Sequence, residues 1–252
     1  MQMPPKTPKS TLKPADFATL YEGFDAPVSR YDCGRKCAPL NNGEALCCST
    51  QHAVPVVHKV EFELLKGRTD LWTKFKPYDY STRQIVEELT HDCMAIQCKG
   101  VRFCERDNRT IACRGFPFYP YLTRQKEFVG VGTYWVFEDR CWMMSNLEIV
   151  DRVFVEQFIA TYEAIFVKDP SEFTTYVDFS ASARRVHSRW KREIPLLGRD
   201  GKLMIVEPST GAIRPGKPKD FPKITPFNSE KAYKAACKEA GGEVPKEGLK
   251  AV

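Results

Sequence analysis

Several features that would settle this chain's class are missing from it. No run of about 18 or more apolar residues occurs, so no membrane span is expected. The N-terminal MQMPPKTPKSTLKPADF has lysines but no apolar stretch behind them. It does not read as a secretory leader, and cytoplasmic placement is the expectation. There is no Gly-rich phosphate loop, dinucleotide fingerprint, G-x-S-x-G elbow or HExxH motif. The commonest signatures of nucleotide, serine-hydrolase and metalloprotease chemistry are therefore absent.

An excess of one charge sign is also lacking where it would matter. The formal net charge is +6, but residues 1–13 hold three lysines and no acid. Residues 193–252 hold 11 Lys/Arg against 8 Asp/Glu, which leaves residues 14–192 with 24 of each sign. A neutral body is not a strongly basic binding domain, and nucleic acid is disfavoured as a partner.

Cysteine, by contrast, is plentiful, at ten residues. Such a number in a chain without a leader points to metal binding or thiol chemistry, because structural disulfides are rare in reducing compartments. The first group is spaced Cys33-x3-Cys37-x9-Cys47-Cys48. The second is Cys93-x4-Cys98-x5-Cys104-x8-Cys113, with Cys141 following 28 residues on. Thiolates suit zinc or iron–sulfur clusters, and four complete a tetrahedral zinc site or hold one cluster. The spacings match neither a standard zinc finger nor a bacterial ferredoxin run, so zinc, iron and a 4Fe-4S cluster remain alternatives. Disulfides and buried inert thiols are the competing accounts. Adjacent Cys47 and Cys48 would face opposite ways on an extended chain, serving two metal sites or one site and the interior. Cys237 stands alone in the tail on an expected helix and is read as a non-ligand; Cys93 lies near an expected helix end, and its role stays open.

The rest of the chain supplies the frame. Pro4, Pro5, Pro8 and Pro14 mark residues 1–14 as a disordered or extended arm. A β-like run from Val54 to Val57 leads into a helix, and STRQIVEELTHDC reads as another, with Ser81 as N-cap and Ile85, Val86 and Leu89 on one face. GVGTYWVFE is β-like. Ile149, Val150, Val153, Phe154, Phe158, Ile159, Tyr162 and Phe166 recur at helical spacing. Asp169-Pro170-Ser171-Glu172 then predicts a new helix, with Asp169 as N-cap, running to about Arg192. Residues 193–252 read as a Pro-rich extension with a hairpin around Leu203 to Ile213 and a short helix from Ser229 to Ala240. The expected fold class is α+β: an irregular, metal-organised Cys-cluster domain over residues 15–192, closed by two C-terminal helices.

The order CGRKCAPLNNGEALCC, AVPVVHKVEFE, QCKGVRFC, RTIACRGFPFYPY resembles the YkgJ-like cysteine-cluster family of zinc- or iron-chelating domains. Members open with C-x(n)-C-x(n)-CC, continue with a short strand and a helix carrying a glutamate, and close with two more cysteines and RP-x-x-CR-x-FPF. On that resemblance Cys33, Cys37, Cys47 and Cys48 fit the opening, and Cys98 and Cys104 the middle pair. Cys113-Arg114-Gly115-Phe116-Pro117-Phe118 fits the closing block, and Cys141 stands where many members place one more cysteine. Thr110 replaces the family's proline, Trp142-Met143 replaces Pro-Gly, and the gap before Cys47 is long. The resemblance covers about residues 31–145 and implies a metal centre. A relative of that family, the flagellin lysine-N-methylase group, implies an iron–sulfur centre and methyl transfer.

Other candidates carry two readings each. His52, His58 and His91 are possible ligands, or surface and supporting residues. Glu61 and Glu63 suit a general base near a metal, or simply a helix N-terminus. Arg114 could neutralise thiolates, or form an ordinary salt bridge. FPFYPY reads as core under the metal loops, with a groove for a peptide or base as the alternative. ARRVHSRWKR reads as a solvated helix end more than a nucleic-acid contact.

Three functions follow: a metal-binding protein organising a site for an unknown protein partner or substrate; an iron–sulfur enzyme of methyl-transfer type acting on a protein side chain; and a nucleic-acid-associated zinc module. Thiolate sites couple metal binding to folding. Dialysis against a strong chelator is expected to collapse the circular dichroism signal or aggregate the protein; an unchanged melting curve would contradict the ligand set.

Overall fold

The computed structural model describes residues 9–221 and 223–245. Of the arm expected over residues 1–14, the first eight lie outside the described residues. The remainder is docked: the Thr11 N–H donates to the Lys168 carbonyl at 2.9 Å, and Leu12 is buried. Pro14 then opens α1 (Pro14–Gly23), at a first-turn position where a helix has no use for an N–H.

The chain is α+β, with two antiparallel sheets. After α2 (Gly34–Cys37) come β1 (Val56–His58), α3 (Lys59–Arg68), β2 (Trp72–Lys74), α4 (Tyr80–Glu87) and β3 (Cys93–Cys98). The three strands form one sheet in the order β1-β3-β2. Cys93, expected near a helix end, is the first residue of β3 and pairs with His58. The N-cap of α4 is Asp79 rather than Ser81. Its carboxylate accepts from the Thr82 N–H at 2.8 Å, and the Thr82 hydroxyl accepts from the Asp79 N–H in return. That reciprocal box fixes the helix start two residues earlier.

The second sheet is where the chain departs most from expectation. α5 (Ile111–Gly115) leads into β4 (Phe118–Leu122) and β5 (Phe128–Thr133), and then α6 (Arg152–Lys168) and α7 (Pro170–Trp190) pack together. Yet α6 and α7 do not end the body. They are followed by β6 (Ile194–Gly198), β7 (Leu203–Val206), β8 (Ile213–Pro215) and α8 (Glu230–Glu239). β6 pairs with β5 through Gly130↔Gly198 and Val131↔Leu197, so residues from 193 onward complete the sheet β4-β5-β6-β7-β8. A Cβ on Gly130 would lie 2.1 Å from the Leu197 carbonyl oxygen, so this approach requires glycine. The prolines and glycines that suggested an extension flank strands whose Ile194, Leu196 and Val206 are buried.

Two cores result. Phe154, Phe158, Ile159, Tyr162 and Ile165 of α6 join Phe17, Phe24, Leu65 and Ile96 in the larger; Val153, apolar by spacing, faces out. Tyr119, Tyr121, Ala183, Ile194 and Leu196 form the smaller, between α7 and the sheet. Arg184 serves that core, donating to the Tyr121 hydroxyl at 3.1 Å and the Leu122 carbonyl at 2.8 Å. Arg192 grips Glu138 with two bonds of 2.8 Å. The basic stretch 183–192 is thus partly spent on internal contacts. At the far end of the chain, Cys237 is buried beside Phe227 and Tyr233. The Tyr233 hydroxyl donates to the Lys36 carbonyl at 2.9 Å, which packs α8 onto the first cysteine loop.

Candidate metal centre

Five of the expected ligands reach one small cavity from separate pieces of chain. Cys47 and Cys48 lie on the 3₁₀ turn Leu46–Cys48, Cys98 ends β3, Cys104 follows the 3₁₀ turn Val101–Phe103, and Cys113 is in the first turn of α5. With Arg109 and Trp72 they line a space of about 70 Å³. Thr110 is the N-cap of α5 and accepts from the Cys113 N–H at 2.9 Å. Cys47 and Cys48 are not on an extended chain. The tight turn brings their sulfurs to 4.0 Å, and both face the same cavity.

Cys33, Cys37 and Cys141 make a neighbouring group. Cys33 precedes α2, Cys37 ends it, and each lies within electrostatic reach of Cys141. The eight expected ligands therefore divide into five around the cavity and three beside them, with Cys48 close enough to influence Cys33 and Cys37. All ten cysteines are free thiols, so the disulfide account has no support. Among the described residues no three cysteine sulfurs come within 4.8 Å of one another.

Burial is the leading influence on Cys33, Cys37, Cys98, Cys113 and Cys141, and it raises each of them. It pushes Cys33 and Cys113 up to about 12 and holds Cys141 well above its ordinary value. Cys48 is the exception, drawn down to about 7 by its hydrogen bond with Cys47 and then by the positive charge of Arg109. Arg109 also donates from Nε to Cys104 Sγ at 3.1 Å. Arg109 is thus the cation that lines the cavity, while Arg114, for which thiolate neutralisation and a salt bridge were both open, does not line it. Arg114 donates to the carbonyls of Arg109, Tyr21, Phe24 and Asp107 and stacks over the Tyr21 ring, binding loops together. The signal for Arg109 was its place four residues before Cys113, at the head of the longer RP-x-x-CR-x-FPF pattern.

The remaining candidates separate clearly. His91 is exposed beside Asp92, and His52 meets the Arg140 guanidinium at 3.1 Å. Glu63 is exposed near Lys66. Glu61 is fully enclosed: one carboxylate oxygen accepts from the Tyr21 hydroxyl and from the Ile111 N–H, both at 2.8 Å. It also borders a second, larger cavity of about 450 Å³, which shares Cys47 and Cys113 with the small one and has Phe116, Phe118, Tyr134 and Tyr176 among its walls. Phe118–Leu122, the core of FPFYPY, is buried throughout. Cys93 and Cys237 lie away from the small cavity.

No family model matches the chain, and no solved structure matches it. The protein translocase subunit SecA of Methylococcus capsulatus (strain ATCC 33009 / NCIMB 11132 / Bath) is 31% identical over 102 residues. That match covers 39% of this chain and 11% of the SecA protein, so the chain spans a small fraction of that relative's length.

Burial raises the Glu61 carboxyl from 4.5 to about 7. Its folded form binds a proton more tightly than its unfolded form, so its contribution to stability is full below pH 4.5 and is lost as pH rises towards 7. Glu61→Gln keeps a neutral acceptor and removes this loss, on the order of 3 kcal/mol. In urea titrations the variant should gain on the wild type between pH 5 and pH 7.5; a pH-independent difference would contradict the assignment.

Proposed function

We propose that this chain is a cysteine-cluster metal protein of YkgJ-like type, holding zinc or iron through thiolates and organising an adjoining site for a protein partner or protein substrate. The observation that carries the reading is the convergence of five free thiols, from separate stretches of chain, on one cavity that also receives Arg109. Thiolates in that number suit zinc or an iron–sulfur cluster, and a guanidinium offsets the net negative charge such a centre carries. Cys47, Cys48, Cys98, Cys104 and Cys113 would hold it, with Cys33, Cys37 and Cys141 as the further ligands of the set.

The spacing of the thiols bears on which metal. Four sulfurs about 2.3 Å from one tetrahedral ion lie within about 4 Å of each other. Cys47 and Cys48 meet that condition, but no third cysteine joins them within 4.8 Å. A wider ring of thiols suits a polynuclear iron–sulfur centre better than a lone zinc ion. The second reading, an iron–sulfur enzyme acting on a protein side chain, is favoured by the 450 Å³ cavity that shares Cys47 and Cys113 with the thiol cavity. A side chain entering there would lie between aromatic walls, next to the centre. The likeness to a protein translocase subunit covers 11% of that protein, and no translocase role is proposed from it. Among the described residues no helix is long and apolar enough to cross a membrane.

Anaerobically purified protein should contain about one or more zinc or iron per chain, brown if iron–sulfur and colourless if zinc. Cys113→Ser should lose most of that metal while Cys237→Ser keeps it. Metal content unaffected by Cys113→Ser, or neither metal in the wild type, would overturn the reading.

A further inference from the structure

A second set of metal-ligand atoms lies outside the thiol cavity. His58 ends β1 and Cys93 begins β3, and the two are directly paired across the antiparallel ladder. Directly opposed residues project to the same face of a sheet, so imidazole and thiol are neighbours. Glu172 comes to them from the first turn of α7. A nitrogen of His58, the sulfur of Cys93 and a carboxylate oxygen of Glu172 all lie within 4.8 Å of one another.

Two observations separate this trio from an ordinary buried histidine. His58 is 7% exposed, yet its Nε2 has no hydrogen-bond partner, and it points at Glu172 Oε2 from 3.9 Å. Leaving a buried polar atom unpaired is costly, so such an atom calls for a partner that the protein itself does not supply. The other ring nitrogen faces a carboxylate. Asp169, 1% exposed, divides its carboxylate: Oδ1 caps α7 through the Ser171 and Glu172 N–H groups, and Oδ2 stands 3.6 Å from His58 Nδ1. A carboxylate behind the imidazole is the arrangement that fixes a metal-bound histidine's tautomer and raises its basicity.

We propose that His58 Nε2, Cys93 Sγ and the Glu172 carboxylate form a three-ligand site for a borderline-soft divalent cation, zinc foremost, separate from the thiol cavity. The mixed nitrogen, sulfur and oxygen set suits zinc and disfavours calcium or magnesium, which take oxygen. All three residues line the 450 Å³ cavity. Three protein ligands on an open cavity leave a coordination position for water or a ligand's donor atom, as catalytic zinc sites do and structural ones do not. The site does not rest on the thiol cavity holding metal, and each can fail alone.

Zinc per chain, measured by mass spectrometry after zinc loading and desalting, tests the site. Glu172→Gln and Cys93→Ser should each hold one zinc fewer than the wild type, while the loss caused by Cys113→Ser stays additional to theirs. Asp169→Asn keeps an N-cap, since asparagine caps as well as aspartate. It should weaken zinc binding about 10- to 100-fold in competition with a chromophoric chelator, with the melting temperature little changed. Should Cys93→Ser fail to fold, Glu172→Gln decides, because Glu172 is partly exposed and outside the cores. Equal zinc content in wild type and Glu172→Gln, or an affinity indifferent to Asp169→Asn, would overturn the proposal.

Discussion

Glu61, almost fully buried, accepts two hydrogen bonds at 2.8 Å, from the Tyr21 hydroxyl and the Ile111 N–H. Tyr21 belongs to α1, Glu61 to α3, and Ile111 opens α5, whose first turn carries Cys113. One carboxyl group therefore ties the start of α5, and with it the closing block of the cysteine pattern, to α1 and α3. Arg114 reinforces the arrangement from the other side of Tyr21, through the carbonyls of Tyr21 and Phe24. Removing the carboxylate would leave two buried donors unpaired, at about 1–3 kcal/mol each. The junction anchors the helix that carries Cys113, one of the five thiols lining the small cavity.

Elements bounded by strong local chemistry were legible in the sequence. Asp169-Pro170-Ser171-Glu172 announces α7, and the carboxylate caps it as the spacing implies. The apolar face of α6 is equally plain from Phe154 to Ile165, and Ser229 caps α8. What was not legible depends on partners distant in sequence. β6 looks like proline-rich tail until Gly130 offers it a strand edge, and Asp79 outcompetes Ser81 as a cap because Thr82 reciprocates. The cysteine groups were visible as a pattern, but the choice of Arg109 over Arg114 was not. Both arginines flank Cys113 in sequence, and which one turns towards the sulfurs follows from where Tyr21 captures the other ring-on-face.

The same limit applies to His58. In the sequence it is one of three histidines near cysteines, and Glu172 is a capping-box residue. Only the pairing of β1 with β3, and the docking of α7 over it, makes them neighbours. The structure thus sets two groups of potential ligands on either side of Cys47 and Cys113. One is rich in thiols and more widely spaced, and the other is mixed, tighter and opens on an aromatic cavity. A soft centre that secures the fold beside a second site that keeps a free position is a coherent division of chemistry.

X-ray absorption at the edge of the bound metal, on protein purified without oxygen, addresses the central claim most directly. The account predicts a nearest shell dominated by sulfur at about 2.3 Å, collapsing in Cys113→Ser. A shell of nitrogen and oxygen alone, or a sulfur shell that Cys113→Ser leaves intact, would contradict it.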